Sequence, residues 1–269
     1  MNDKICTVEE AISEVRDGDS VAIHSWGLSG TPGYLLRALK ACGAKDLTLY
    51  CNNFLPGMPT LEEMGLVNLT SLLPQLKKIV SPFIGGRAFS TSGEDIFEGR
   101  VQSGELEIET STHGVYIERF LTGAMGSGGF YSPIGINTII EKGKEKRIID
   151  GKEYILEKPI SPDIGLVKAY RSDKLGNLIY RGSSRGSNPI VAMASKLTIV
   201  EVFDIVETGE LDPEIIVTPS IYVDRIVKIP EDDVASESRI NDVLKMIIKM
   251  RIEAEAATAA DTPESPSNS

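Results

Sequence analysis

Polar side chains that can do chemistry follow three predicted strands of this sequence, each at the point where the strand ends. His24 and Ser25 follow the first strand, Asn52 and Asn53 the second, and residues 111–113, with His113, the fourth. Because ligands of open parallel sheets bind beyond the carboxyl ends of the strands, these groups are expected to line one pocket. Imidazole donates or accepts a proton near neutral pH, and amides and hydroxyls orient a polar substrate. A turn or helix cap explains any one segment equally well, whereas three at one edge favour a pocket.

A glycine-rich segment, residues 123–135, holds five glycines around Phe130. Glycine at that density lets the backbone bend sharply and lets another group approach closely. The spacing is neither that of a dinucleotide-binding turn nor that of a phosphate loop. We predict that the glycine-rich segment contacts substrate through Gly126, Gly128, Gly129 and Phe130.

The elements that must position these groups alternate between strand-like and helix-like segments over the first two hundred residues. This alternation predicts an α/β fold with an open, mostly parallel sheet and helices on both faces. The predicted strands are Ser20–His24, Leu47–Cys51, Lys78–Ser81, Glu105–Thr110, Leu197–Val202 and Ile221–Ile229. Three helices are predicted. The first has Thr31 as its cap and Pro32 as its first residue and ends at Ala41, the second lies near 94–102, and the third covers Val115–Leu121. Inserted β-hairpins are predicted at Arg147–Leu156, around Asp150-Gly151, and at Ala169–Arg181.

The composition changes after Pro230. We predict one domain over residues 1–230, an amphipathic helix at 231–258 and a disordered tail at 259–269. The helix has an apolar stripe, and the tail is polar and broken by prolines. The stripe fits docking either on the helix's own domain or on a partner.

Net charge and residue usage exclude several classes of protein. The formal net charge of −11 disfavours nucleic-acid binding, because a surface of that sign repels phosphates. No apolar run is long enough to cross a membrane, and the first residues lack the apolar core of a secretion signal, so a cytoplasmic protein is expected. Three cysteines without metal-site spacing predict reduced thiols and no metal. One basic cluster, residues 142–147, fits a local phosphate site or a solvated hairpin arm equally well.

Several segments together resemble the alpha subunit of the family I coenzyme A transferases of the 3-oxoacid type. They are residues 24–32, 52–53 and 111–119, the glycine-rich segment, 175–181 and 200–226. The resemblance implies the α/β fold of that family, coenzyme A as a substrate and no permanently bound cofactor. It also implies a partner, the beta subunit, in an assembly such as α2β2, with an acyl-CoA and a carboxylic acid as substrates.

The resemblance also implies roles for individual residues. Where the family has Gly-Gly-Phe-Gly-Leu, this chain has residues 24–28, His-Ser-Trp-Gly-Leu, so His24, Ser25 and Gly27 are expected to contact substrate. The family's Asn-Asn pair matches Asn52 and Asn53. The family's glutamine, an oxyanion donor, is replaced here by His113. A neutral imidazole can still donate one N–H, and an imidazolium donates more strongly, so the role would acquire a pH dependence.

The nucleophile that the family uses has no match in this chain. The resemblance implies a glutamate of the beta subunit, which attacks the acyl-CoA and then forms a glutamyl-CoA thioester. Glu118 and Glu201 lie in family-like sequence, but both are expected to be structural, Glu118 as a partner of Arg119 or of a cap and Glu201 as a buried strand residue. The chain alone is therefore expected to be inactive.

Two other functions remain possible. A hydrolase of acyl-CoA thioesters or of carbon–carbon bonds would use the same fold with an activated water in place of the acceptor acid. A non-catalytic sensor of sugar phosphates would need no partner, and fold alone does not separate it from an enzyme. A partner subunit with the nucleophilic glutamate favours the transferase, and one without it favours the hydrolase.

Overall fold

A computed structural model describes residues 4–26, 29–54, 69–85, 95–233 and 249. The chain divides into two compact units, residues 1–229 and 230–269. Apart from residues 231–233 and 249, the helix predicted at 231–258 and the tail predicted at 259–269 lie outside the described residues. Both stay predictions.

The first unit is built on a mostly parallel sheet of eight strands. Numbered along the chain, the strands of this unit are β1 Ser20–Ile23, β2 Leu47–Tyr50, β3 Asn53–Phe54, β4 Leu76–Ser81, β5 Phe83–Ile84, β6 Glu107–Thr110, β7 Phe130–Ser132, β8 Lys146–Ile149, β9 Lys152–Glu157, β10 Ile164–Asp173, β11 Leu178–Ile179, β12 Leu197–Val206 and β13 Arg225–Lys228. The large sheet has the order β13-β12-β10-β1-β2-β4-β6, all parallel, and β11 adds to β10 as an antiparallel strand.

Helices cover both faces of this sheet. They are α1 Val8–Ile12, α2 Gly33–Cys42, α3 Glu98–Gln102, α4 His113–Ala124 and α5 Asn188–Ala194. Because side chains alternate along a strand, Val21 of β1 packs in a cluster with Leu35 of α2, while its neighbour Ala22 packs with Phe120 of α4 and Val191 of α5. The predicted α/β fold is confirmed. Within the described residues, no helix has both the length and the apolar character needed to span a membrane.

The first predicted hairpin is confirmed. β8 and β9 pair antiparallel, and Asp150 and Gly151 both have positive φ, 49° and 76°, as a tight hairpin turn of the type I′ class requires. β7 adds to the other edge of β9 and completes a separate three-stranded sheet.

The second predicted hairpin is part of a longer strand. β10 begins at Ile164 rather than at Ala169, and its first half lies between β1 and β12 in the large sheet. Its end turns back because one oxygen of Asp173, Oδ1, accepts hydrogen bonds from the backbone N–H groups of residues 175–177, at 2.9–3.1 Å. One strand therefore serves both the sheet centre and the hairpin, and the prediction recognised only the hairpin.

The predicted start of α2 is wrong by one residue. Pro32 occupies the cap position and not the first helical position. Its side chain accepts no hydrogen bond from the backbone N–H groups at the start of the helix. The Oε2 atom of Glu201, on β12, accepts the N–H of Leu35 instead, at 2.8 Å. A buried carboxylate from another element thus takes the place of a local helix cap.

Other helix bounds also differ from the prediction. Sequence reasoning missed α1, which opens with a capping box between Thr7 and Glu10. α4 begins at His113, two residues before the predicted start, because the hydroxyl of Thr112 accepts the N–H of Val115. His113, predicted to follow the fourth strand, is therefore the first residue of a helix.

Candidate functional site

The carboxyl ends of four adjacent strands meet at one edge of the large sheet. β1, β2, β4 and β6 are neighbours in that order and run parallel. Residues 24–26 and 111–113 directly follow β1 and β6, residues 52–53 come one residue after β2, and residues 81–83 begin with the last residue of β4. The predicted convergence of the polar strand ends is thus found in the structure, with the end of β4 as an addition.

Ser25 joins the ends of β1 and β2. Its hydroxyl donates to the carbonyl of Asn53 at 3.0 Å and accepts the N–H of Asn53 at 3.2 Å. Its own N–H lies 3.4 Å from Oδ1 of Asn52. A glycine at this position would leave the backbone of Asn53 without this partner, so Ser25 positions the residue that contacts His113.

His113 lies between an amide and an indole ring. Its Nε2 atom is 3.3 Å from Oδ1 of Asn53, and its ring centroid is 5.3 Å from that of Trp26, with the rings at 70°. An oxygen opposite Nε2 favours a protonated Nε2. An imidazolium then has its second N–H, on Nδ1, to offer to a ligand. Within the described residues, His113 contacts no carboxylate.

His24 is buried at the same edge, and its contact with substrate stays a prediction. Its Nδ1 atom accepts the N–H of Ser187 at 3.2 Å and lies 2.9 Å from the Ser187 hydroxyl, which donates to Oδ1 of Asn52 at 3.0 Å. Burial lowers the pKa of His24, and hydrogen bonding to Asn52 and to the backbone of Ser29 opposes this in part. A buried imidazole with a lowered pKa is neutral at neutral pH. Through Ser187, His24 thus fixes the position of the Asn52 side chain.

The turn that holds His24 was not recognised from the sequence. Gly186 lies so close to the imidazole that a Cβ there would be 2.2 Å from a ring carbon. Asn188 fastens the same turn, because its Nδ2 atom donates to the carbonyls of Gly30 and Ser184, both at 2.9 Å. The run Arg-Gly-Ser-Ser-Arg-Gly-Ser at 181–187 was the available signal.

Two buried groups near this edge are unsuited to be nucleophiles. Burial raises the pKa of the Cys51 thiol to about 12, so the thiolate is scarce at neutral pH. Glu201 is fully buried, and its Oε1 atom lies 3.2 Å from the ammonium of Lys168. Burial raises the pKa of Glu201 and lowers that of Lys168. The structural role predicted for Glu201 is confirmed by these contacts.

Pairing of Glu118 with Arg119 was one of two predicted roles for Glu118, and the structure does not show it. Glu118 is exposed, whereas Arg119 is buried and its guanidinium donates to Glu109 at 2.7 Å and to the carbonyl of Lys158 at 2.9 Å. Consecutive helical residues point about 100° apart, so adjacent positions on α4 do not face each other.

The glycine-rich segment does not join His113. α4 has twelve residues, with His113 at its start and the segment at its end, so about 18 Å of helix separates them. Gly126 ends the helix in a left-handed conformation, with φ 68°. Gly129 has φ 141°, and a Cβ there would be 2.7 Å from the carbonyl oxygen of Glu157. Gly27 lies outside the described residues. Substrate contact by Gly27 and by the glycine-rich segment stays a prediction.

Gly128 allows this prediction to be tested without disturbing the fold. A Cβ at Gly128 meets nothing within 4 Å, and its φ lies outside the left-handed region. We expect Gly128→Val to change the free energy of unfolding by less than about 0.5 kcal/mol, while lowering catalytic turnover if the segment meets substrate. Gly129→Val, which is strained, should cost about 1–3 kcal/mol in the same urea titration. Full activity of Gly128→Val would show that the segment only connects elements.

Two members of the basic cluster at 142–147, Lys142 and Lys144, line a cavity of about 920 Å³ between β6 and the three-stranded sheet. Its charges are largely paired within the arm. Lys144 contacts Glu157 at 2.5 Å, Lys146 contacts Glu141 at 2.9 Å, and Arg147 lies over the ring of Tyr131. These contacts favour the solvated hairpin arm over a phosphate site.

Comparison with known proteins agrees with this arrangement. The family model for coenzyme A transferase matches residues 5–229. One subunit of the succinyl-CoA:3-ketoacid coenzyme A transferase of Helicobacter pylori is 40% identical over 228 residues, which are 85% of this chain and 93% of that protein. The alpha subunit of an acetate CoA-transferase of Escherichia coli (strain K12) is 36% identical over 227 residues, 84% of this chain and 97% of that protein.

A solved structure shows the same fold at much lower identity. An acyl-CoA transferase of Escherichia coli O157:H7, crystallised as a thioester complex with coenzyme A, matches with a TM-score of 0.70 and 17% identity. The match covers 85% of this chain and 48% of that one, so this chain spans about half the length of the solved protein. On the match over residues 5–229 and the identity to these two transferase subunits, the chain belongs to the coenzyme A transferase family.

Proposed function

We propose that this chain is the alpha subunit of a two-subunit coenzyme A transferase. The enzyme moves coenzyme A between an acyl-CoA and a carboxylic acid, with a 3-oxo acid as one of the pair, and acts in the cytoplasm. The observation that carries the proposal is the match of the first unit, almost end to end, to proteins named as single subunits of such transferases, an alpha subunit among them. Coenzyme A is a substrate in this proposal and not a bound cofactor.

The proposed reaction takes its nucleophile from the beta subunit. A glutamate carboxylate of that subunit attacks the thioester carbonyl, and the C–S bond breaks. Coenzyme A leaves as the thiolate, and the acyl group and the glutamate are joined as an anhydride. The thiolate then attacks the glutamyl carbonyl of the anhydride and releases the first acid as its carboxylate. The acceptor carboxylate then attacks the glutamyl-CoA thioester and displaces the thiolate, which gives a second anhydride. The thiolate attacks the acceptor's carbonyl in this anhydride, so the new acyl-CoA forms and the glutamate carboxylate is released. No oxidant or reductant is needed.

His113 has the geometry for the part that this chain plays. Asn53 engages Nε2, and a protonated ring would offer its second N–H, on Nδ1, to the oxyanion that forms at the thioester carbonyl. Within the described ranges, the side chains that contact His113 supply a donor-acceptor amide and an aromatic ring and no nucleophile. This supports a nucleophile that comes from another chain.

The proposal predicts that the purified chain has no transferase activity alone and gains it when its beta subunit is added. Each preparation is assayed with acetoacetyl-CoA or succinyl-CoA as donor and with acetate or acetoacetate as acceptor, by following thioester exchange. Light scattering on the mixture measures the stoichiometry, for which α2β2 is the expected value. Robust turnover by the single chain would refute the two-subunit proposal.

The same assay separates the transferase from a hydrolase. A transferase conserves the thioester, so free thiol does not accumulate, whereas a hydrolase releases one thiol for each thioester consumed. The relatives from Helicobacter pylori and Escherichia coli are named as transferases, and we expect no accumulation of thiol.

A further inference from the structure

Two large aromatic side chains stand exposed at the proposed catalytic edge. Trp26, directly after β1, has 58% of its surface exposed, and Phe83, the first residue of β5, has 38%. Trp26 is the single tryptophan of the chain. Scattered exposed apolar residues need no explanation, but two aromatic rings beside convergent polar groups are typical of a ligand pocket.

Each of the two rings neighbours one member of the Asn53–His113 pair. Trp26 packs edge-on against the imidazole of His113. Phe83 is the parallel partner of Asn53 in the small sheet of β3 and β5, so both side chains leave the same face of that sheet. The next residue of β3, Phe54, is fully buried on the other face. A chain of neighbours therefore links Phe83 to Asn53, Asn53 to His113 and His113 to Trp26.

Phe83 is held in this position by the end of β4. The Ser81 hydroxyl donates to the carbonyl of Phe83 at 3.0 Å and lies 3.3 Å from its N–H. The same hydroxyl lies 3.3 Å from the carbonyl of Asn52. Ser81 is completely buried, so the turn that presents Phe83 is fixed to the turn that presents Asn53.

We infer that Trp26 and Phe83 form the acyl subsite of this enzyme and select an aliphatic acyl group over one that ends in a second carboxylate. The inference rests on the proposed function, which places the thioester carbonyl at His113. The carbon chain next to that carbonyl then lies against aromatic surface, where apolar groups gain from leaving water. A second carboxylate placed there loses hydration without receiving a cation from the rings.

The test uses the assembled complex and one acceptor, acetoacetate, with acetyl-, butyryl-, hexanoyl- and succinyl-CoA as donors. We expect kcat/KM to rise from acetyl- to butyryl- or hexanoyl-CoA by about tenfold or more, and succinyl-CoA to be a poorer donor than butyryl-CoA. Trp26→Ala should remove most of this preference, while Trp26→Phe, which restores an aromatic ring, keeps much of it. Ile221→Ala, which truncates an exposed apolar side chain outside the subsite, should change nothing.

Two outcomes would overturn the inference while leaving the proposed function intact. One is a wild-type complex that prefers succinyl-CoA. The other is a Trp26→Ala complex in which kcat/KM falls by the same factor for every donor, because Trp26 would then only hold His113.

Binding measured by fluorescence separates failure of the inference from failure of the proposed function. The emission of Trp26 is obtained as the difference between the wild-type and Trp26→Phe complexes. We expect butyryl-CoA to change this emission at a lower concentration than succinyl-CoA does. If no donor and acceptor pair is turned over but this order of binding is found, the proposed function fails and the aliphatic subsite stands. The reverse order of binding overturns the subsite.

Discussion

His113→Ala in the assembled complex is expected to lower kcat by about 10² to 10³, because loss of one oxyanion donor has an effect of that size. Thermal unfolding should be nearly unchanged, since His113 is partly exposed and, among the residues that the structure describes, its side chain makes one hydrogen bond, to Asn53. Stopped-flow or steady-state rates with the best donor, together with a melting curve, measure both quantities.

His113→Gln separates hydrogen-bond donation from proton transfer. The glutamine amide donates an N–H at every pH, so a substantial part of the lost rate should return. If both variants are equally inactive, His113 acts as a general base, and if alanine is fully active, His113 is not part of the site.

Lys168→Met is expected to destabilise the first unit by about 3–5 kcal/mol, because it leaves the carboxylate of Glu201 buried without its cation. The Lys168 side chain is almost completely buried, and its ammonium also lies 4.9 Å from the centre of the Phe203 ring. Glu201 would have to take up a proton or draw in water, and either weakens its bond to the N–H of Leu35 at the start of α2. Urea unfolding followed by circular dichroism measures the loss, which corresponds to a melting temperature about 10 °C lower.

Lys196→Met is the matched control. Lys196 pairs with Asp163 at 2.7 Å, but its side chain is 69% exposed, so the loss should be below about 1 kcal/mol. Lys168→Met combined with Glu201→Gln should recover stability, because the amide oxygen still accepts from Leu35 and no buried charge is left alone. Equal losses for Lys168→Met and Lys196→Met would show that burial does not govern the pair.

Features that depend on neighbours along the chain were predictable. The alternation of elements, the Asp150-Gly151 turn and the polar ends of β1, β2 and β6 follow from local patterns, and the structure confirms them. The meeting of Asn53 and His113 was also within reach, since parallel strands place their carboxyl ends on one edge.

Features that depend on contacts across the sheet were not predictable. Ser187 reaches His24 across 163 positions, and Glu201 caps a helix 166 positions earlier. Neither contact leaves a periodic or local signal. The role of Phe83 depends on its pairing with Asn53, which two-residue strands do not reveal. The separation of the glycine-rich segment from the polar strand ends was not predictable for a related reason, because it depends on the full length of α4.

The position of β1 in the sheet has a consequence for how the protein is made. Val21 of β1 pairs with Ile164 of β10, and the N–H of Ile226 donates to the carbonyl of Lys4 at 2.8 Å. During translation, about 140 further residues must therefore be synthesised before the second neighbour of β1 exists, which takes on the order of 10 s at about 5–20 residues per second. Until then one edge of β1 is open and able to pair with another nascent chain. The large sheet can be completed only when β13, its last strand in the chain, has left the ribosome.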